Sequence, residues 1–348
     1  MSGRLTVSLS ALAANYATLK AHARGDVAAV VKADGYGLGA AAIASKLRSQ
    51  GCSEFFVATC DEGIQLRQAL PEETIYVLEG AHAQSLQALI NANLTPVLNT
   101  PAQCAAWSAT SRPAAVHVDT GMQRLGLPYA QAVQILEQSN LTPTVLVSHF
   151  ARADEPQHPS VAEQLSRINP VFETLRESCP SLRLSLCNSA ALLQGVGPEH
   201  LGRAGIGLYG GNPYDDQPNP MQPVVTMHAR VLQVREVASG VAVGYGGSYV
   251  TASATRLAIL GVGYADGLPR LLSNKGRVWL AGQYCPIVGR VSMDLTAVDV
   301  GSLVVEEGDE AEIFGSHVPV DEVAHHAQTI AYEILTGVSR RMVRAYLG

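Results

Sequence analysis

Lys32 closes a β-branched apolar run, VAAVVK, and is followed at once by the glycine-rich turn ADGYGLGA. An amine held at a strand end against apolar walls has a depressed pKa and can form a Schiff base with an aldehyde cofactor. Position alone also fits a lysine whose stem lies on apolar surface while its ammonium reaches water. The same turn can be read as a dinucleotide loop, with Gly35, Gly37 and Gly39 at a helix start and Asp61 as ribose ligand. Its spacing, however, is G-x-G-x-G rather than G-x-G-x-x-G.

Other reactive side chains sit where apolar runs stop. In CNSAALL, Ser189 stands at a strand-to-helix junction, where a hydroxyl can contact phosphate or cap the helix. In GRAGIGLYG, Gly205 and Ile206 offer backbone amides to an anion, and Arg203 precedes them either as a cofactor ligand or as an ion-pair partner. His149 ends the run before FARADE. Arg124, in HVDTGMQRLG, can hold a substrate carboxylate through two bonds or form a surface salt bridge.

For these residues to converge, their strands must end on one side of one scaffold. Short β-branched runs alternate with helical patterns from about residue 27 to 210: Val27–Val31, Phe55–Thr59, Ile75–Leu78, Pro96–Leu98, Ala114–Val118, Thr144–Val147, Leu182–Leu186 and a last one near Arg203–Leu208. Between the first two, Ile43 and Leu47 share a helical face and Gly51 supplies a stop. Eight strands separated by helices predict a (β/α)8 barrel, whose active site lies at the C-terminal strand ends. The proline-rich segment GGNPYDDQPNPMQP reads as a linker. Beyond it VVTMHARVLQVREV, RLAILGVGYADG, GRVWLAGQYCPIVGRVSMDLTAVDV and DEAEIFG predict a mostly antiparallel β domain. A final helix is expected from Val320 and Asp321 to the arginines 340, 341 and 344. The expected division is 1–220 for the barrel and 221–348 for the second domain, with the alternative that the chain's first strand joins the latter.

Composition narrows the function. With 16% charged and 47% hydrophobic residues the chain reads as a folded enzyme, and a net charge of −6 offers nucleic acid no basic footprint. The N-terminal stretch has no apolar run of signal-peptide type and no 18-residue apolar run exists, so a cytoplasmic protein that spans no membrane is expected. Six cysteines without C-x-x-C spacing suggest reduced thiols rather than a zinc site or disulfides.

Taken in order, VVKADGYGLGA, VDTGMQRLG, SHFARADE, CNSAALL, RAGIGLYG, VGYGGSYV, GVGYADG and VGRVSMDL resemble the successive motifs of the alanine racemase family over nearly the whole chain. The resemblance implies pyridoxal 5'-phosphate on Lys32. Tyr36 and Ser189 would touch its phosphate, Gly205 and Ile206 would give it backbone amides, His149 would lie by its ring and Arg203 would face its pyridine nitrogen. An arginine hardly gives up its proton, so it leaves the cofactor a weaker electron sink and favours reprotonation at Cα over transamination. The resemblance further implies two catalytic bases, Lys32 on one face and Tyr245 of the second domain on the other, reaching across a head-to-tail homodimer. Arg124 and the Met293 amide would hold the substrate carboxylate, and Tyr264 would line the entrance.

The implied activity is interconversion of L-alanine and D-alanine, the latter for example for bacterial cell-wall synthesis. Alternatives are a racemase of wider specificity, including serine, a related barrel decarboxylase, and a non-catalytic pyridoxal-phosphate protein. The last is disfavoured by the second domain. Two departures stand out: His117 occupies the place of a lysine that many members carry in carbamylated form, and Arg340 stands where many have a tyrosine.

Overall fold

Residues buried on both faces of a strand require cover on both sides, and Phe55, Phe56 and Val57 are all buried, as are Ile75, Tyr76 and Val77. They belong to eight parallel strands: β2 (Asp26–Val30), β3 (Glu54–Val57), β4 (Thr74–Val77), β5 (Thr95–Leu98), β6 (Ala115–Asp119), β7 (Val145–Val147), β8 (Arg183–Ser185) and β9 (Leu201–Ala204). They pair in the order β9-β2-β3-β4-β5-β6-β7-β8. The ring is completed where the His200 and Arg203 amides donate to the carbonyls of Leu184 and Cys187, at 3.0 and 2.9 Å. The computed structural model describes residues 3–139 and 141–348.

Helices pack outside the barrel. In Leu9–His22, Ser8 caps the first turn by accepting from the Ala11 amide at 3.1 Å, and Leu12, Tyr16 and Leu19 form the buried stripe. The Tyr16 hydroxyl donates to the Val27 carbonyl at 2.9 Å, which fastens this helix to β2.

The second sheet is mostly antiparallel. It contains β1 (Gly3–Ser8), β10 (Val225–Val237), β11 (Thr255–Leu260), β12 (Arg277–Leu280), β13 (Gln283–Pro286), β14 (Thr296–Asp299), β15 (Glu310–Phe314) and β16 (Val343–Leu347). The order is β13-β12-β15-β10-β1-β16, with β11 bridging β10 and β14. β1 is antiparallel to β10 and parallel to β16.

Two expected elements differ. The last barrel strand ends at Ala204, earlier than expected, because Ile206–Tyr209 coils into a 3-10 turn closed by Gly210 at φ 86°. The expected C-terminal helix is two short helices, Val320–His326 and Ala331–Thr336, and a strand. Gln328, at φ 55°, breaks the first helix. Of the basic residues at its expected end, Arg344 serves tertiary structure instead, donating to the carbonyls of Gly37, Val338 and Met342 at 2.9, 3.2 and 3.0 Å.

Candidate active site

Lys32 lies one residue beyond β2, after Val31, and opens a left-handed turn, Lys32–Tyr36, in which Ala33, Asp34, Gly35 and Tyr36 have φ of 53°, 54°, 63° and 55°. Each non-glycine residue held there costs about 1–3 kcal/mol and needs compensation nearby. The Ala33 amide donates to Glu62 at 2.7 Å, the Asp34 carboxylate accepts from the Ala40 amide at 2.9 Å, and the Gly37 amide donates to the Ala33 carbonyl at 2.8 Å. Glu62 is itself fixed by a capping box with Thr59. Gly37, whose φ is 80°, has no room for a Cβ, which would lie 2.4 Å from the Leu335 carbonyl oxygen. Its glycine is thus required by helix packing rather than by a pyrophosphate.

Burial, with help from the charges of Arg124 and Arg203, lowers the pKa of Lys32. Lys32 and Tyr36 line a cavity of about 480 Å³ with Ile330 and Tyr332. Tyr36 is buried and stacked on Tyr209, with centroids 4.4 Å apart, yet its hydroxyl has no hydrogen-bond partner among the described residues. That hydroxyl faces Gly205, where a Cβ would lie 2.9 Å from it. The buried Ser189 hydroxyl accepts from the Gly205 and Gly207 amides at 2.9 and 3.2 Å. Asn188, not Ser189, caps the following helix, by accepting from the Ala191 amide at 3.1 Å. Tyr36, Ser189 and the Gly205–Ile206 turn therefore form one donor-rich hollow.

Arg203 is buried in β9. Its Nη1 donates to Ser185 Oγ at 2.6 Å, and its Nη2 to the Ser148 carbonyl at 2.6 Å and to His149 Nδ1 at 3.0 Å. Its Nε has no protein partner among the described residues. Because an arginine only donates, His149 Nδ1 must accept, and the imidazole proton resides on Nε2. Burial and the charge of Arg203 hold the basicity of His149 well below that of a free histidine.

His117, on β6, donates from Nδ1 to Asn99 Oδ1 at 3.0 Å, because an amide oxygen only accepts, so its imidazole proton lies on Nδ1. Burial and then Arg203 and Arg124 push its pKa down to about 4, so it is neutral at pH 7 and cannot replace a carbamate's negative charge. Arg124 is exposed on the loop after β6. Asp119 fixes that loop by accepting from the amides of Gly121, Met122 and Gln123 at 2.8, 2.9 and 3.2 Å.

The second-domain residues lie apart. Tyr245, 72% exposed, lines a cavity of about 880 Å³ with Arg290 and Ser292, and no barrel residue contributes to its wall. Tyr264 and Met293 are also exposed, and the Met293 amide has no partner among the described residues. Arg340 is exposed and makes no hydrogen bond among them. No group of three metal-ligating side chains occurs among the described residues, and none of their helices is long and apolar enough to cross a membrane. All six cysteines are buried free thiols.

Sequence reasoning missed three residues here. Asp119 carries the signal of a carboxylate opening a glycine turn, and Glu62 that of T-x-x-E. Tyr332 carried none, since its place beside Tyr36, with centroids 5.9 Å apart, depends on tertiary structure.

Residues 7–213 match the family described as alanine racemase, N-terminal domain, and residues 224–346 its C-terminal domain. An alanine racemase of Acidiphilium cryptum is 42% identical over 351 residues, covering 98% of this chain and 97% of the relative. The crystal structure of alanine racemase from Bartonella henselae with covalently bound pyridoxal phosphate superposes with a TM-score of 0.91 at 35% identity, covering 100% of both chains. The biosynthetic alanine racemase of Pseudomonas aeruginosa gives a TM-score of 0.93 at 32% identity over 100% of this chain and 99% of the other.

Proposed function

The chain belongs to the alanine racemase family and interconverts L-alanine and D-alanine, and from that premise we propose that Lys32 and Tyr245 are its two bases, acting in sites shared between two copies of the chain. The observation that carries this reading is the Lys32 amine, of lowered pKa, lining one cavity with Tyr36, whose hydroxyl has no partner among the described residues.

That hollow fits pyridoxal phosphate. The partnerless Tyr36 hydroxyl, Ser189 and the amides of Gly205 and Ile206 suit its phosphate, while the free Nε of Arg203 suits a pyridine nitrogen that accepts rather than donates. When bound, the cofactor supplies an aldehyde for an amine and a sink for electrons released at Cα. Lys32, once its amine is free, is placed to take or return a proton because burial favours its neutral form. His149 stays neutral, so it offers a donor at Nε2 without adding a positive charge. Arg124 and the free Met293 amide would grip the substrate carboxylate, and Tyr264 would line the approach.

Racemisation requires a second proton carrier on the opposite face of Cα. Tyr245 is exposed on a wall without barrel residues, which supports its reaching the Lys32 site of a partner in a head-to-tail homodimer. In this reading the enzyme works in the cytoplasm and supplies D-alanine, for example for cell-wall synthesis.

The test combines spectroscopy with complementation. Wild type should show a visible cofactor band that Lys32→Ala lacks, and its L-alanine optical signal should decay to zero. Lys32→Ala and Tyr245→Phe should each be inactive alone. Refolded together, they should regain about a quarter of wild-type activity, because half the dimers then hold one intact shared site. Equal inactivity of the mixture would refute shared sites, and release of carbon dioxide would point to decarboxylation.

A further inference from the structure

Arg203 is a buried cation that no carboxylate touches among the described residues: its bonds go to Ser185, His149 and the carbonyls of Ser148 and Leu186. The carboxylate that acts on it is Glu199, 7% exposed and two residues before β9. Both oxygens of Glu199 accept from the Leu186 amide, at 3.2 and 3.1 Å, and from the Cys187 amide, at 3.3 and 3.4 Å. The carbonyls of the same two residues face the arginine. Leu186 accepts from Arg203 Nη2 at 3.3 Å and Cys187 from the Arg203 backbone amide at 2.9 Å. One short segment is thus gripped by the Glu199 carboxylate through its N–H groups and by Arg203 through its carbonyls, the Leu186 carbonyl on the guanidinium and the Cys187 carbonyl on the backbone amide.

We propose that Glu199 is a positioning residue for Arg203: it holds the Leu186–Cys187 segment that seats the guanidinium, and its charge offsets part of the field that Arg203 imposes on His149 and on the cofactor ring. The part that concerns the cofactor rests on the function proposed above.

Burial pushes the Glu199 carboxyl up to about 7, against the opposing pull of Arg203 and the two amides. It is therefore neutral below that pH and anionic above it. The groups around it do not share this titration. Burial pushes the Cys187 thiol up and keeps it protonated, with Arg24 acting on it from the turn before β2, and burial lowers the pKa of His200, whose Nδ1 accepts from the Leu184 amide. With Glu199 neutral, the full charge of Arg203 falls on His149 Nδ1 and on the ring it faces.

The experiment titrates the visible band of the holoenzyme from about pH 5.5 to 9, in wild type, Glu199→Gln and Glu199→Asp. Glutamine keeps one acceptor oxygen for the two amides and loses the charge together with the second acceptor. Wild type should show a spectral transition near neutrality, aspartate should retain one, and the glutamine variant should keep the low-pH wild-type spectrum throughout. The same transition in Glu199→Gln would overturn the proposal. Should that variant fail to fold, nitrogen NMR of the His149 ring in the wild-type chain freed of cofactor serves instead. His149 shifts that move near neutrality support the action of Glu199, and flat shifts overturn it. Because this reading needs no cofactor, moving His149 shifts in a chain with no Lys32-dependent band would overturn the cofactor reading while leaving Glu199 coupled to Arg203.

Discussion

Gly205→Ala tests whether the hollow at Tyr36 and Ser189 is a phosphate site. The added methyl would lie 2.9 Å from the Tyr36 hydroxyl, and the tyrosine cannot easily retreat, because its ring stacks on Tyr209 and tilts against Tyr332. Overpacking of this kind costs about 1–3 kcal/mol, partly offset by the roughly 0.4–1 kcal/mol gained when glycine loses freedom in the unfolded chain. The cofactor-free protein should thus lose only about 1–2 kcal/mol of stability. Cofactor binding should suffer more. Displacing one charge-assisted hydrogen bond to phosphate removes about 1.5–3 kcal/mol, or roughly ten- to a hundredfold in Kd. Fluorescence titration with pyridoxal phosphate and with pyridoxal, which lacks the phosphate, separates the effects: only the phosphorylated ligand should weaken by that factor. An unchanged Kd for pyridoxal phosphate in the folded variant, or equal weakening of both ligands, would refute the assignment.

Three further outcomes are expected. His117 is held at about 4 against an ordinary 6.5, so the unfolded chain binds a proton that the folded chain refuses between those values. Stability from this source is full above 6.5 and falls by on the order of 3 kcal/mol as pH drops toward 4; denaturant melts of His117→Gln should show a shallower acid loss. Lys32, lowered from 10.5, has the complementary effect: stability of the cofactor-free chain should rise as pH climbs toward 10.5, and Lys32→Met should flatten that rise in the same melts. Asp119→Ala, by freeing the Arg124 loop from three amide bonds, should raise KM for alanine about tenfold or more while leaving the cofactor band in place. An unchanged KM would remove Asp119 from any role in substrate positioning.

Seven barrel strands could be placed within about two residues because each carries its own local signal, an apolar β-branched run bounded by turn residues. The eighth was displaced because GIGLY is apolar enough for a strand, while its glycines permit the tight turn that presents the Gly205 and Ile206 amides. Charge pattern misled at the C-terminus. An acidic start and a basic end suit one helix, but Arg344 binds the Gly37 carbonyl, 307 residues away, and no local rule reveals such a partner. The strand-end positions of Lys32, His149 and Arg203 followed from the barrel rule. The pairing of Glu199 with the Leu186–Cys187 segment did not, since a carboxylate before a strand has no periodicity to mark it.

β1 lies between β10 and β16, so the first strand described waits on partners that begin at Val225 and Val343. During synthesis the barrel's neighbours emerge in order, whereas Gly3–Ser8 remains an unpaired edge until the strand that begins at Val225 has left the ribosome, and it gains its second neighbour only after Val343–Leu347 has followed. Arg344, on that last strand, also anchors the turn that carries Lys32. The reactive amine would therefore be the last part of the barrel to acquire its final geometry, and a nascent chain could fold most of its barrel before it could hold its cofactor correctly.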